Sequence, residues 1–482
     1  MATLISTPPF EEENIAQKPI LYSPGESARL CSSNLGPNTL SVLSYNLLLP
    51  NSVDGWWTFK NYCPNTPMEA RSWLRRQALL AKKIQMESPD IMCFQEASDR
   101  SYKSDFEFLT TSGWKFHVHA KGKMRMRPIT FWNPALFEVV SGASFSKDHT
   151  LITPFRVRST QKIFWTINCH LQAGIHAGDR RLRQLHEALE TVRKKSKTLC
   201  ISSDCVIVCG DFNSKSDEAL ATGVYLLHGK VDGGFEEYGK SVTSKTKRCS
   251  IFPFQDAYRA AYAGNTIPPT MIAPSLIPRM ESSRDASAKD GQTQTYKGEV
   301  KPSKNFVAAC NLLFGIYSDT GGHMMSRRAI EKWLMDINKS VERGDEMRHA
   351  FEILEAKGGD GQEDVANYFS PEDFLLVYTK ELQHGKYWGI ASDFQYIAAK
   401  YHMLPKLAEL DVLPPFYIEG REPNASEAET DLHLGTIDYI FYTSKTLKCE
   451  GVLDISLGRN RPIPDSTECS DHFCIKAVFS FL

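Results

Sequence analysis

Six short polar stretches interrupt this chain at the ends of apolar runs, and their residue types are those that hold hard cations and move protons. Asn46 ends Leu-Ser-Val-Leu-Ser-Tyr, Gln95-Glu96 follows Ile91-Met-Cys-Phe94, and His170 ends Thr-Ile-Asn-Cys. Asp211 and Asn213 follow Val206-Ile-Val-Cys-Gly210, Asp438 sits in Thr-Ile-Asp-Tyr-Ile, and Ser470-Asp471-His472 precedes the last apolar run. Singly, each has a plain explanation. An Asp-Phe-Asn forms turns because Asp and Asn bond their own backbone, and a His before a strand commonly serves packing. Together, carboxylates, amides and imidazoles placed where strands end predict one shared rim.

The elements that must position them are legible as apolar runs of strand length alternating with helical periodicity. Leu40–Leu49, Ile91–Phe94, Ala135–Val140, Ile163–Cys169, Val206–Cys209, Thr436–Tyr442 and Cys474–Phe481 read as strands. Arg75–Met86 and Asp179–Arg193 read as amphipathic helices, the first closed by Ser88-Pro89-Asp90. Wholly apolar runs such as Val206–Cys209 are typical of buried sheet centres. The fold class is α/β, with two sheets face to face and helices outside.

The set Ser44-Tyr45-Asn46, Gln95-Glu96, His170-Leu171, Gly210-Asp211-Phe212-Asn213-Ser214, Ile437-Asp438-Tyr439 and Ser470-Asp471-His472 resembles the endonuclease/exonuclease/phosphatase superfamily. Gln255-Asp256-Ala257-Tyr258-Arg259 adds to the resemblance. It implies a four-layer α/β sandwich of DNase I-like type and a magnesium- or manganese-dependent phosphoesterase, more readily a phosphodiesterase than a phosphomonoesterase. On that resemblance Glu96, Asn46 and Asp471 are the expected metal ligands. Asp211 would orient or deprotonate the attacking water, and Asn213 would hold the nucleophile or a phosphate oxygen. His472, its ring fixed by Asp438, would stabilise developing charge, and His170 would contact the phosphate or protonate the leaving oxygen. Expected partners are a phosphate-ester substrate, either nucleic acid or a lipid head group. His170-Leu171-Gln172-Ala173-Gly174 resembles neutral sphingomyelinases and keeps a lipid phosphodiesterase as the alternative enzyme. Trp56-Trp57 suits stacking on a base, entry into a membrane surface, or the core, and Arg180, Arg181 and Arg183 read as a solvated helix face or a phosphate contact.

The expected organisation is an extension over residues 1–37, the catalytic unit over 38–266 and 425–482, a linker over 267–304 and an inserted all-helical unit over 305–424. Within the insert, Phe306–Phe314, Arg327–Ile337, Asp345–Ala356 and Pro371–Gln383 are four helical patterns without strands between them. Their pairing across Asp319-Thr-Gly-Gly and Gly359-Asp360-Gly361 is EF-hand-like. The candidate calcium ligands are Asp319, Asp360, Asp364 and Asp373. Loop spacing is broken, however. With Phe369 eighth, Asp373 falls twelfth, but Gln362 is first and Ala366 fifth, and the first loop places Ala329 where Glu belongs. A helical lid or a partner-protein module is the rival expectation, and a calcium-responsive scaffold without turnover is the rival function.

With 482 residues, 42% hydrophobic and 23% charged, the chain has globular composition, which excludes collagen-like or wholly disordered structure. The 56 basic against 57 acidic residues exclude a uniformly basic nucleic-acid coat while allowing a local positive groove. No apolar run approaches the roughly 18 residues of a membrane span, and the start lacks the order of a signal peptide. The 12 cysteines are scattered and read as buried thiols. Neither Cys205/Cys209 nor Cys469/His472/Cys474 has zinc spacing. A cytoplasmic or nuclear location is the expectation.

Overall fold

The computed structural model describes every residue outside 1–18, 25, 27–37, 53–67, 121–124, 143, 174–176, 215–219, 238–239, 243–247, 250, 252, 264, 275–299, 322, 339–340, 342–343, 359–367, 384–386, 411–415, 419–431 and 457–462. Trp56-Trp57, Asp360 and Asp364 thus lie outside the described residues.

Fourteen strands build two sheets: β1 (Ile20–Tyr22), β2 (Thr39–Asn46), β3 (Ile91–Ser98), β4 (Lys115–Val118), β5 (Met126–Trp132), β6 (Phe137–Val139), β7 (Phe145–Lys147), β8 (Thr150–Val157), β9 (Ile163–His170), β10 (Val206–Asp211), β11 (Phe254–Asp256), β12 (Asp438–Thr443), β13 (Leu447–Leu453) and β14 (Ile475–Phe481). The first sheet runs β1-β13-β14-β2-β3-β5-β4, and the second β11-β12-β10-β9-β8-β6 with β7 on β8. Each sheet holds a parallel pair, β2 with β3 and β9 with β10.

Strand alternation divides the side chains into three cores. Leu40, Val42, Ile91 and Cys93 of the first sheet meet Phe155, Phe164, Ile207 and Cys209 of the second between the sheets. The opposite residues, Leu43, Tyr45, Met92 and Phe94, pack outward against Trp73, Leu80 and Ile84 of α1 (Trp73–Glu87). Val206, Val208, Trp165 and Ile167 pack outward against Leu182, Leu185, Leu189 and Val192 of α2 (Gly178–Leu199). The result is helix, sheet, sheet, helix: the expected four layers. Helix α1 begins where the Ser72 hydroxyl accepts from Arg75 N and ends at Ser88, left-handed at φ 43°. On α2, Arg180 and Arg183 are exposed as a solvated face requires, but Arg181 is buried and paired with Glu237. Its guanidinium holds the fold and meets no phosphate.

The insert is richer than four helices. It comprises α3 (Lys304–Tyr317), α4 (Arg327–Asn338), α5 (Asp345–Gly358), α6 (Pro371–Gln383) and α7 (Tyr387–Lys400), with a short helix at Leu404–Glu409. The expectation of no strands is corrected twice. Met325–Ser326 pairs antiparallel with Tyr368–Phe369, and Val300–Pro302 pairs with Phe416–Ile418, closing the unit at its base. The expected linker also contributes Met271–Pro274, which pairs with Leu432–Gly435. Two- to four-residue strands leave no periodicity to read. The unit has its own core, with Phe306, Phe314, Trp333, Phe374, Tyr378 and Phe394 at its centre. No described helix is long and apolar enough to cross a membrane.

Gly210 gives the fold a sharp test. Its φ is +134°, and a Cβ there would stand 2.0 Å from the carbonyl oxygen of Cys169 on the neighbouring strand. Gly210→Ala is expected to destabilise the chain by at least about 2–4 kcal/mol, through the disallowed backbone and the clash together. The urea midpoint measures it, and a wild-type midpoint would refute this close approach.

Candidate active site

The strand ends converge because the central parallel pairs β2–β3 and β9–β10 finish on the same edge, the third parallel pair, β1–β13, lying at the margin of the first sheet. In β2–β3, Asn46 lies opposite Gln95; in β10–β9, Asp211 lies opposite His170, and in β10–β12 it lies opposite Asp438. A buried amide pair ties the two sheets under this edge. Gln95 Nε2 donates to Asn168 Oδ1 at 2.8 Å, and Asn168 Nδ2 donates to the carbonyls of Phe94 and Ile129, each at 3.0 Å.

Glu96 does not end a strand as expected; it interrupts one. The register of β3 against β5 shifts between Phe94 and Ala97, and Glu96 sits at φ +63°. This bulge turns its carboxylate onto the rim, a known use of irregular strand geometry at functional sites. Asn213 is likewise left-handed at φ +50°. Its backbone N donates to Asp211 Oδ1 at 2.7 Å, and its Nδ2 donates to the Leu171 carbonyl at 2.9 Å.

At the centre, Asn46 Nδ2 donates to Glu96 Oε1 at 3.1 Å and to Asp211 Oδ2 at 3.0 Å. Its own oxygen accepts from Leu48 N at 3.0 Å, so Asn46 bridges two carboxylates and does not aim an oxygen into the site as a metal ligand would. The other Glu96 oxygen accepts from Leu49 N at 2.9 Å. His170 Nε2 stands 3.6 Å from Glu96 Oε1 and 3.8 Å from Asp211 Oδ2, while its buried Nδ1 meets no partner among the described residues. Across the site, His472 Nδ1 and Asp438 Oδ2 are 2.8 Å apart, and Asp471 Oδ1 is 4.0 Å from His472 Nε2. Ser470 joins the halves by donating to the Asn46 carbonyl at 2.6 Å. All eight residues expected in catalysis or metal binding therefore occupy one rim.

Buried charge sets the electrostatics. Burial pushes the Asp211 carboxyl up to about 6 and Asp438 adds to the rise, while His472 and His170 oppose it. Burial alone would lower His472, but Asp438, Asp471 and Asp211 hold it well above its usual value, which favours the charged ring. Asp471 is raised by burial and by Glu96, with His472 opposing. The donor set suits a hard divalent cation: the Glu96 and Asp471 side chains are each 14% exposed and carry the oxygen ligands magnesium prefers. Among the described residues no three His, Cys, Asp or Glu side chains close round one point. Magnesium commonly takes few protein ligands and keeps water and substrate oxygens.

Four supporting residues escaped the sequence reading. Arg76 on α1 is fully buried, and its guanidinium donates to the carbonyls of Leu47 and Leu48 at 2.7 Å, Cys469 at 3.0 Å and Leu49 at 3.1 Å. It ends β2 at Asn46, short of the expected Leu49, by drawing the next three carbonyls out of the sheet. The Thr270 hydroxyl accepts from Ile437 N and Asp438 N at 3.0 and 3.1 Å. His149 bonds the His170 carbonyl through Nδ1 at 2.9 Å, and Asn168 carries the inter-sheet bridge. An arginine on a charged helix and a threonine in a proline-rich stretch carry no sequence signal of such roles.

With the geometry in place, comparison with known proteins is informative. Residues 43–239 match the model of the Endonuclease/Exonuclease/phosphatase family. It is 22% identical over 249 residues to the Candida albicans CCR4-Not complex 3'-5'-exoribonuclease subunit Ccr4, covering 42% of this chain and 31% of that protein. It is 28% identical over 198 residues to Protein angel homolog 2 of Danio rerio, covering 37% and 34% respectively. The chain thus spans about a third of the length of these relatives. A crystal structure of ANGEL2, described as a 2',3'-cyclic phosphatase, in complex with adenosine-2',3'-vanadate, aligns over 92% of this chain and 96% of that one, with 14% identity and a TM-score of 0.47. Asp256 is an N-cap: its carboxylate accepts from Tyr258 N and Arg259 N at 2.9 and 3.2 Å.

Two predictions follow from buried charge. Arg76→Met leaves four carbonyls without their donor and should cost about 2–4 kcal/mol, with Arg76→Lys losing less; equal urea midpoints for wild type and Arg76→Met would contradict the clamp. Asp256 is pushed up to about 6 by burial, against its backbone bonds. Its folded value exceeds the unfolded one near 3.9, so the native state binds the proton more tightly. Stability from this group is therefore lost as pH rises from about 4 to about 6. Asp256→Asn keeps the cap without the charge, so it should match or exceed wild type in urea at pH 8 and lose that advantage at pH 4.

Proposed function

We propose that this chain is a divalent-metal-dependent phosphoester hydrolase acting on nucleic acid, most specifically a phosphodiesterase on RNA. The observation that carries the reading is the buried Asp438–His472 pair facing Asp211, Asn213 and Glu96 across a single rim. Such a cluster places a fixed positive donor opposite a carboxylate base, the arrangement that in-line attack of water on phosphorus requires. The named activity of a relative, an exoribonuclease, supports a nucleic-acid phosphate as substrate.

Glu96 and Asp471 would hold magnesium or manganese, with Asn46 fixing Glu96; when bound, the ion supplies positive charge to the phosphoryl oxygens. Asp211 accepts the proton of the attacking water as the oxygen bonds to phosphorus, its raised basicity suited to that transfer. Asn213, held by Asp211 and Leu171, steadies a phosphate oxygen or the water. The His472 imidazolium presents Nε2–H to charge developing on a non-bridging oxygen, and Asp438 keeps that ring charged and oriented. His170 protonates the leaving oxygen as its bond to phosphorus breaks. Each of these steps needs the side chain at the rim and not elsewhere.

Leu171 and Gln172, within the stretch that resembles sphingomyelinases, are engaged internally. Leu171 is buried against α2, Gln172 N donates to Gln184 Oε1 at 2.9 Å, and the Gln172 carbonyl accepts from Arg181 at 3.1 Å. These contacts seat the helix and give no support to a lipid head group over RNA.

A panel of single-stranded RNA, duplex DNA, sphingomyelin, inositol phosphates and dinucleotides, assayed with magnesium, tests the reading. RNA cleavage is expected, and Glu96→Gln or His472→Ala should lower turnover by about 10²–10⁴-fold while the circular dichroism spectrum stays that of wild type. Exclusive hydrolysis of sphingomyelin would replace the substrate assignment. Undiminished turnover in both variants would overturn the site.

A further inference from the structure

The two helix–loop–helix hairpins of the insert are joined through their loops. Met325 and Phe369, both fully buried, are directly opposed in the short antiparallel pair. That is the eighth-position pairing of an EF-hand duo, and it makes the Tyr368 carbonyl the seventh and Asp373 the twelfth ligand position of the second loop. In a calcium loop those two groups face the ion. Here they face an ammonium. Lys357, from the last turn of α5, donates to the Asp373 carboxylate and to the Tyr368 carbonyl, the latter at 3.4 Å. Ser370 N completes the carboxylate's shell at 2.7 Å.

The first loop is also closed by its own chain. The hydroxyls of Ser318 and Thr320 donate to the Met324 carbonyl at 2.8 and 2.9 Å, the position equivalent to Tyr368. Asp319 accepts from Ser326 N at 2.8 Å and from the Ser326 hydroxyl. Asp319 and Asp373, two of the four expected calcium ligands, are therefore engaged within the protein. The apolar groove between the hairpins is filled as well. Phe394 of α7 stacks on Phe306 at 5.4 Å and meets Tyr378 edge-on at 5.1 Å, with Ile390, Ile397 and Ala398 buried beside it. Lys400, in the last turn of α7, pairs with Asp336, which also accepts from the Tyr317 and Tyr401 hydroxyls at 2.8 Å each.

We propose that Lys357 is the built-in cation of the second loop, so that the paired loops hold together without a divalent ion. An ammonium offers three donors and one positive charge, enough to satisfy the carboxylate and carbonyl that an ion would otherwise bridge. The helix that a calcium-opened groove would capture is already supplied in cis by α7. On this proposal the hairpins are joined without calcium, and the insert serves as a scaffold and not as a calcium sensor.

Thermal unfolding of the full chain, with and without about 1 mM calcium, tests this, since sensor loops saturate at about 10⁻⁷–10⁻⁵ M. Wild type is expected to show no calcium shift assignable to this loop. Lys357→Met and Asp373→Asn should each lower the midpoint by about 2–4 °C, the double variant by no more than either alone, and Lys357→Arg by less than Lys357→Met. A calcium-dependent rise that survives Asp373→Asn arises elsewhere in the chain and agrees with the proposal. A rise abolished by Asp373→Asn would overturn it, as would fully additive losses in the double variant. If Lys357→Met fails to fold, the calcium response of wild type against Asp373→Asn still decides.

Discussion

The site depends on one constraint: two parallel strand pairs, one in each sheet, finish at the same edge of the sandwich. Parallel pairing places strand ends of like polarity side by side, which is where α/β proteins gather ligands. Here it sets Asn46 beside Gln95 in one sheet and His170 beside Asp211 in the other. Packing the sheets face to face then closes the distance between them, and the Gln95–Asn168 amide pair holds that distance from inside the core. A slip of one residue in either pair would turn a reactive side chain inward, because alternate residues face opposite ways.

Charge follows from that geometry. Glu96, Asp211, Asp438 and Asp471 are gathered where little water reaches, and burial together with a neighbouring carboxylate raises the proton affinity of Asp211 and of Asp471. The two histidines offset part of this, His472 as a held imidazolium, and a divalent ion at Glu96 and Asp471 would offset more. Arg76 serves the same rim from below. Its guanidinium ties the loop after Asn46 to the segment that leads into Asp471 and His472, so one buried cation organises both sides of the site without entering it. The helical insert uses a related device with Lys357, a part-buried positive side chain standing where an external ion is the commoner solution.

Much of the catalytic unit was legible in advance, since each reactive residue adjoins an apolar run whose period is unmistakable. The order of motifs, the α/β class and the four layers all followed from such local signals. The local signals failed where the backbone departs from regular form. Glu96 lies in a bulge, inside a strand and not at its end, because the left-handed φ that creates the bulge is set by the partner strand. The two-residue strands of the insert were invisible, and so was α7 as the occupant of the groove. Asn46 was expected to bind metal, and the structure shows it joined by hydrogen bonds to the Glu96 and Asp211 carboxylates and to Leu48.

The residue types at the strand ends, and hence the chemistry the chain can perform, were determined by the sequence alone, because carboxylates and imidazoles next to apolar strands have few other reasons to recur. The tertiary structure decided which of them meet and what supports them. Arg76 and Cys469 are separated by 393 positions, and Asn46 and Asp211 by 165. Lys357 and Asp373, only 16 apart, meet where α5 and α6 pack against each other. Contacts of this kind are products of packing. A single sequence carries no periodicity that records them, so burial and register had to be seen before their roles could be assigned.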